Sequence, residues 1–169
     1  MNTVIDLSRF PGVWRGGALD PGAGPGLPTG FPLLDAELPG GGLPRRGLVE
    51  VLHDGVGLGE VSLLLGALRP VAAQGRAIAW INPPHIPYAP ALASAGLALD
   101  ACLVVRPASP EDALWSTDQA LRSGACGAVL FWPPEKTDYP WLRRLQMASE
   151  TGRCLAVLYR PTTAGAHAS

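Results

Sequence analysis

Residues 48–65, LVEVLHDGVGLGEVSLLL, pass from an apolar strand through a glycine-rich turn into an apolar helix. Residues 48–52 form the strand, Gly55, Gly57 and Gly59 punctuate the turn, and the helix starts near Glu60. This is the context in which backbone N–H groups and a lysine cradle nucleotide phosphates, in the pattern G-x-x-x-x-G-K-[ST]. Directly after the last glycine stands Glu60, where the pattern asks for lysine. A carboxylate there repels a triphosphate, and Asp54 flanks the loop on its other side. The set His53, Gly55, Gly57, Gly59, Glu60 and Ser62 therefore reads as a degenerate P-loop, in which a tight connection that keeps its backbone shape without a ligand is favoured over residual anion binding by the N–H groups of Gly55, Gly57 and Gly59.

Working outward, short apolar runs alternate with helical patterns. Strands are expected at 76–81 (RAIAWI), 103–106 (LVVR), 127–132 (GAVLFW) and 154–159 (CLAVLY). Helices are expected at about 29–38, 60–74 (with Pro70 inside), 88–95, 110–123 and 141–151. Ser109-Pro110-Glu111-Asp112 supplies an N-cap, a first-position proline and two acids for the fourth of these. Continuous apolar strands alternating with helices predict a parallel sheet covered on both faces, hence an α/β three-layer domain of about five strands. Residues 1–26, crowded with Pro and Gly, read as a flexible N-terminal arm with Trp14 as a docking anchor. Residues 27–160 are the domain, and 161–169 a flexible tail.

Apolar residues make up 47% of the chain, charged residues 16%, and the net charge is −1. Such a balance gives no global attraction to nucleic acid or to an anionic membrane. The first ten residues lack a signal-peptide pattern, and no window approaches the roughly 20 apolar residues that span a bilayer. The expectation is a soluble cytoplasmic protein. Cys102, Cys126 and Cys154, odd in number and without a CxxC pair, read as free thiols with no structural metal.

Residues 27–52 resemble the opening of a RecA-type recombinase core through Thr29-Gly30, Leu34-Asp35, Gly40-Gly41-Gly42-Leu43-Pro44 and Glu50. The order of later elements extends the resemblance to roughly residue 160. Within that superfamily, residues 78–97, IAWINPPHIPYAPALASAGL, with the later runs VVRP, EDALW and QALRSGACGAVLFWP, resemble the ImuA family. These are bacterial translesion-synthesis accessory proteins, often grouped with the division inhibitor SulA. The resemblance implies a RecA-like P-loop-type three-layer sandwich with a mainly parallel sheet and a degenerate P-loop.

It also shows which chemistry is missing. Recombinase ATPases need a P-loop lysine, a glutamate that activates water and an aspartate beside magnesium. By resemblance these positions hold Glu60, Pro84 and Trp132, and the magnesium-binding hydroxyl position holds Val61, with Ser62 adjacent. The expectation is no ATPase activity and no cofactor. The implied role is a non-catalytic adaptor in the SOS-induced translesion machinery, recruiting the Y-family polymerase homologue ImuB and through it an error-prone DnaE-type polymerase, with RecA as a further contact. The alternative is a SulA-type inhibitor that binds the division protein FtsZ.

Trp132, Tyr139 and Trp141, interrupted by prolines, with Arg143 and Arg144 beside them, form a candidate interaction surface; the rival reading is a satellite cluster under the 133–140 loop. Lys136, Arg143, Arg144, Arg153 and Arg160 suggest a weak single-stranded DNA contact, against a solvated face. His53 and His85 follow strand ends, so acid–base work is weighed against ordinary hydrogen-bonded loop histidines.

Overall fold

The computed structural model describes residues 24–55, 59–134 and 138–167. Five strands, β1 (Gly47–His53), β2 (Ala77–Ile81), β3 (Cys102–Val105), β4 (Cys126–Phe131) and β5 (Leu155–Pro161), form one sheet in the order β1-β5-β4-β2-β3. Every pairing is parallel. The last strand thus enters the middle of the sheet, with Val157 opposite Val49 on one side and Leu130 on the other. The predicted α/β architecture with a parallel five-stranded sheet is present.

Side chains alternate across a strand, so each strand feeds two cores. Ile78, Trp80, Ala128, Leu130, Leu155, Val157 and Tyr159 face α2 (Ser62–Ala73) and α3 (Ala89–Ser94). Ala79, Ile81, Val129, Phe131, Ala156 and Leu158 face α4 (Pro110–Arg122) and α5 (Tyr139–Thr151). Central β4 is buried at every position, as expected of a strand covered on both faces. The first long helix of the second layer starts as the sequence predicts, while the second starts at Tyr139, two residues ahead of the expected Trp141. Ser109 accepts from the Asp112 N–H at 3.0 Å, and Asp138 accepts from the Trp141 N–H at 3.3 Å.

The segment ahead of β1 clamps onto α2. Leu27 and Leu43 exchange two backbone hydrogen bonds of 2.7 and 2.8 Å. A Cβ on Gly42 would lie 2.3 Å from the Leu27 carbonyl oxygen, so this bridge requires glycine there. Buried Thr29 donates its N–H and hydroxyl to Asp35, at 2.9 and 2.7 Å, on the short helix α1 (Pro32–Glu37). These bonds, the hydroxyl first, hold the Asp35 carboxyl below its ordinary pKa. The Thr29 carbonyl then packs on Gly66, where an added Cβ would stand 2.0 Å from the oxygen. Gly66→Ala is expected to destabilise the protein. A Cβ this close to a backbone oxygen puts the cost at the upper end of the about 1–3 kcal/mol of overpacking, and alanine's better helix propensity returns about 1, leaving up to about 2. A thermal melt at or above the wild-type midpoint would show that the clamp is not formed.

Two boundaries differ from expectation. The N-terminal arm does not extend through 26: the Gly26 N–H donates to the Gly40 carbonyl at 2.8 Å and Leu27 is buried. Beyond β5 the backbone of Thr162–His167 continues as 3₁₀ turns where an irregular tail was expected, and the Thr162 hydroxyl donates to Asp54. Trp14, Gly57, Glu135 and Lys136 lie outside the described residues. No helix among the described residues is long and apolar enough to cross a membrane. The three cysteines are free; Cys126 and Cys154 are buried and Cys102 half-buried. Burial, then the neighbouring Cys126, pushes the Cys154 thiol up to about 12.

Candidate functional site

Asn82, the first residue past β2, organises the carboxyl end of the sheet. It takes a left-handed conformation (φ 55°), which Asn tolerates better than most residues. Its backbone N–H donates to the Val105 carbonyl at 2.9 Å and its side-chain amide to the Trp132 carbonyl at 2.8 Å. The loops after β2 and β4 are thereby tied together. The proline-rich run that follows, Pro83 to Tyr88, turns over the start of α2 and forms one wall of a cavity of about 250 Å³.

The other walls are Glu60, Val61, Ser62 and Leu65 around the start of α2, Ala91 and Leu92 from α3, and Trp80 and Trp132 from the sheet. Glu60, Pro84 and Trp132, far apart in sequence, line this one cavity, as does Ser62. The sequence reading placed these positions in a single ancestral centre, and the fold does bring them together. Gly55 and Gly59 belong to the connection that leads into it, and His85 lines it, exposed.

What fills the centre is aromatic. Trp132 stacks on Tyr159 with ring centroids 4.4 Å apart and 10° between planes, and on Trp80 at 6.2 Å and 14°. His53 meets Tyr159 edge-on at 6.2 Å, and its Nδ1 lies 2.5 Å from the Gly55 carbonyl oxygen. His53 is thus a loop histidine held by its own turn and the stack. Burial, then the nearby Glu60 carboxylate, pushes the Tyr159 phenol up. The indole N–H groups of Trp80 and Trp132 and the Tyr159 hydroxyl are buried without a hydrogen-bond partner among the described residues, although the Cys102 thiol lies beside Trp80. Tyr159 carried no signal in the sequence beyond its place at the end of an apolar run.

The candidate interaction surface does not hold together. Trp132 is buried, facing α2 and α3, whereas Tyr139, Trp141, Arg143 and Arg144 belong to α5 on the opposite side of the sheet. The physical reason is parity: Trp132 continues the α2-facing series Ala128, Leu130, after which the chain crosses to the other layer. Trp141 is half-buried, packs into the second core, and carries the Arg144 guanidinium 4.8 Å above its ring. Tyr139 and Arg143 stay exposed.

Two members of the basic concentration, Arg144 and Arg160, are paired. Arg144 grips Asp118 with two hydrogen bonds of 3.0 Å, while Arg122 reaches the same carboxylate at 3.1 Å. Arg160 pairs with Glu50 at 2.7 Å. Asp118, whose side chain is only 2% exposed, is a structural residue that sequence inspection missed, since Arg144 lies 26 positions away. Among the described residues no cluster of His, Cys, Asp and Glu has the arrangement to hold a metal.

Comparison with known proteins gives a consistent family. A family model described as cell division inhibitor SulA matches residues 50–156. The cell division inhibitor SulA of Edwardsiella piscicida is 34% identical over 120 residues, covering 70% of this chain and 71% of that protein. Protein RecA of Tropheryma whipplei is 35% identical over 104 residues, 62% of this chain but only 24% of that longer protein. The crystal structure of SulA from Pseudomonas aeruginosa matches with a TM-score of 0.56 at 24% identity, over 68% of this chain and 97% of that one, a likeness of fold. The matched span begins within β1, ends at the start of β5 and includes every wall of the cavity, and on that footing the chain belongs to the SulA family.

Proposed function

We propose that this protein is a non-catalytic member of the bacterial DNA-damage response that acts by occupying a partner protein, on a RecA-like frame whose nucleotide centre has been replaced. One observation carries the reading. The positions that by resemblance would hold lysine, glutamate and aspartate are Glu60, Pro84 and Trp132; they line one cavity, and the Trp80–Trp132–Tyr159 stack stands on its sheet side. Phosphoryl transfer depends on positioning and on positive charge around the phosphates. Here the lining offers apolar surface and a carboxylate.

Family similarity supports inhibition of cell division; the tubulin-like division protein FtsZ is the partner proposed for that role. A second reading has its own support. Residues 78–97 resemble the ImuA family, and the clamp of residues 27–43 onto α2 precedes the span that the SulA family model matches. In that case the chain is an adaptor for ImuB and, through it, an error-prone DnaE-type polymerase, with RecA as a further contact. The weak single-stranded DNA contact gains no support, because Arg144 and Arg160 are already paired.

A pull-down with the purified full chain against FtsZ and against ImuB separates the readings. Retention of FtsZ alone is the expected result for the inhibitor, and retention of ImuB alone assigns the adaptor role. If neither is retained, and ATP turns over above buffer in a manner lost on Glu60→Ala, the non-catalytic proposal is overturned.

A further inference from the structure

The cavity at the carboxyl end of the sheet has an apolar mouth that stands in solvent. Ile86 and Tyr88 are 70% and 72% exposed, and both line the cavity. Inside, Val61, Leu65 and Leu92 present apolar side chains, while Pro83, Pro84 and Pro87 hold the rim with fixed φ. Large apolar groups held open to water around a concave site mark a surface that another group covers. The volume, about 250 Å³, is below the 300–1,000 Å³ typical of small-ligand sites and suits one large side chain.

The path of the chain narrows the occupant. The segment ahead of β1 enters the fold beside this cavity: the Thr29 carbonyl packs on Gly66, next to Leu65 in the cavity wall. Gly24 lies five residues before Thr29 and so within about 18 Å of it, and the cavity wall is one or two helical turns beyond, roughly 5–11 Å. Ten residues ahead of Gly24 stands Trp14, the largest apolar side chain of residues 1–23, which precede the described residues. A glycine-rich run of that length, such as RGGALDPGAG at 15–24, has an r.m.s. span of about 16–19 Å and a limit of about 36 Å. Trp14 is therefore tethered within reach of the cavity.

The neighbours of Trp14 suit entry into a narrow site. Gly12 on one side and Gly16 and Gly17 on the other carry no side chain to meet the proline rim. A short tether supplies an effective concentration on the order of 1 mM, so a contact too weak to hold two separate molecules together is seated within one.

We infer that Trp14 seats in this cavity in cis, with the residues beside it lying across Ile86 and Tyr88, so that the chain's own N-terminal segment covers the mouth. Any partner that docks at this end of the sheet must displace that segment. The inference goes beyond the partner-binding reading and does not depend on it.

The test is fluorine NMR of the full chain labelled with fluorotryptophan, the Trp14 resonance being assigned by its loss in Trp14→Ala. The reference is the same label in a free peptide of residues 8–20. Wild type is expected to show Trp14 displaced from the free-peptide position at every protein concentration, because the contact is intramolecular. Ala91→Phe, at an exposed position on the cavity wall, is expected to return Trp14 to that position. The melting temperature and the resonances of Trp115 and Trp141, on α4 and α5 across the sheet, should not change. Ile86→Ser, at the exposed mouth, is a second block and should move Trp14 partway back. In trans, the Trp14→Ala chain is expected to bind the free peptide about tenfold more tightly than wild type, whose cavity is already filled. A wild-type Trp14 resonance at the free-peptide position, or one that stays displaced in both Ala91→Phe and Ile86→Ser, overturns the inference. So does peptide binding that Trp14→Ala leaves unchanged, and so does a displacement that vanishes on dilution, because a second copy is then the occupant.

Discussion

Trp132→Ala is expected to lower the unfolding free energy by about 3–5 kcal/mol, the range for removing a large aromatic from a core. Trp132 is 8% exposed and sits between Tyr159 and Trp80, so its indole contributes both buried area and two stacking contacts. Its loss would merge a new void with the neighbouring cavity of about 250 Å³ and leave two aromatic faces uncovered. Trp132→Phe keeps one ring in the stack and is expected to cost less than half as much. Trp132→Asp, which restores the acid that the resemblance places here, is expected to be the worst of the three, because a buried carboxylate without a cation is strongly disfavoured. Urea titrations followed by far-ultraviolet circular dichroism measure all three. A loss below about 1 kcal/mol for Trp132→Ala would mean that the stack is not packed as described.

Asp118→Asn is expected to cost about 2–3 kcal/mol at pH 7, from the loss of charge-assisted hydrogen bonds that join α4 to α5. The value lies below the 3–5 kcal/mol of a fully buried pair because the Arg122 and Arg144 side chains, 42% and 47% exposed, can turn to water. Burial alone would raise the Asp118 carboxyl, but the hydrogen bonds from Arg144 and Arg122 and their charges outweigh it and hold the group below its ordinary 3.8. A carboxyl depressed in the folded state stabilises the fold above its unfolded pKa of about 3.9, and that contribution disappears as pH falls through the lower folded value. Wild type should therefore lose stability on the acid side more steeply than Asp118→Asn, and the gap between them should narrow as pH drops from 5 to 2. Arg143→Ala, at an exposed position without an ion pair among the described residues, is the control and should change stability by less than about 0.5 kcal/mol. A gap that does not vary with pH would remove the ion pair as its cause.

Much of this architecture can be read locally. The central strands announce themselves as apolar runs because both faces are covered, and α4 starts where Ser109 can cap it. The grouping of Glu60, Pro84 and Trp132 was legible too, since residues that end parallel strands must gather at one edge of the sheet. What was not legible is which neighbours in sequence share a side of the sheet. Trp132 and Trp141 stand nine positions apart and read as one aromatic patch, yet the sheet lies between them. Asp118 shows the converse: Arg122, four residues on, is a visible partner, while Arg144 reaches it only because α4 and α5 pack side by side.

The sequence by itself determined the α/β alternation, the Ser109-capped start of α4 and the absence of a lysine from the glycine-rich loop, because each depends on residues within one turn or strand. Only the tertiary structure decided what gathers at the carboxyl end of the sheet. The insertion of β5 between β1 and β4 carries Tyr159 against Trp132, and Trp80 arrives from β2 on the same face. Long-range strand order, which local propensity does not encode, turned three separate aromatics into a stack and left a cavity of about 250 Å³ beside it.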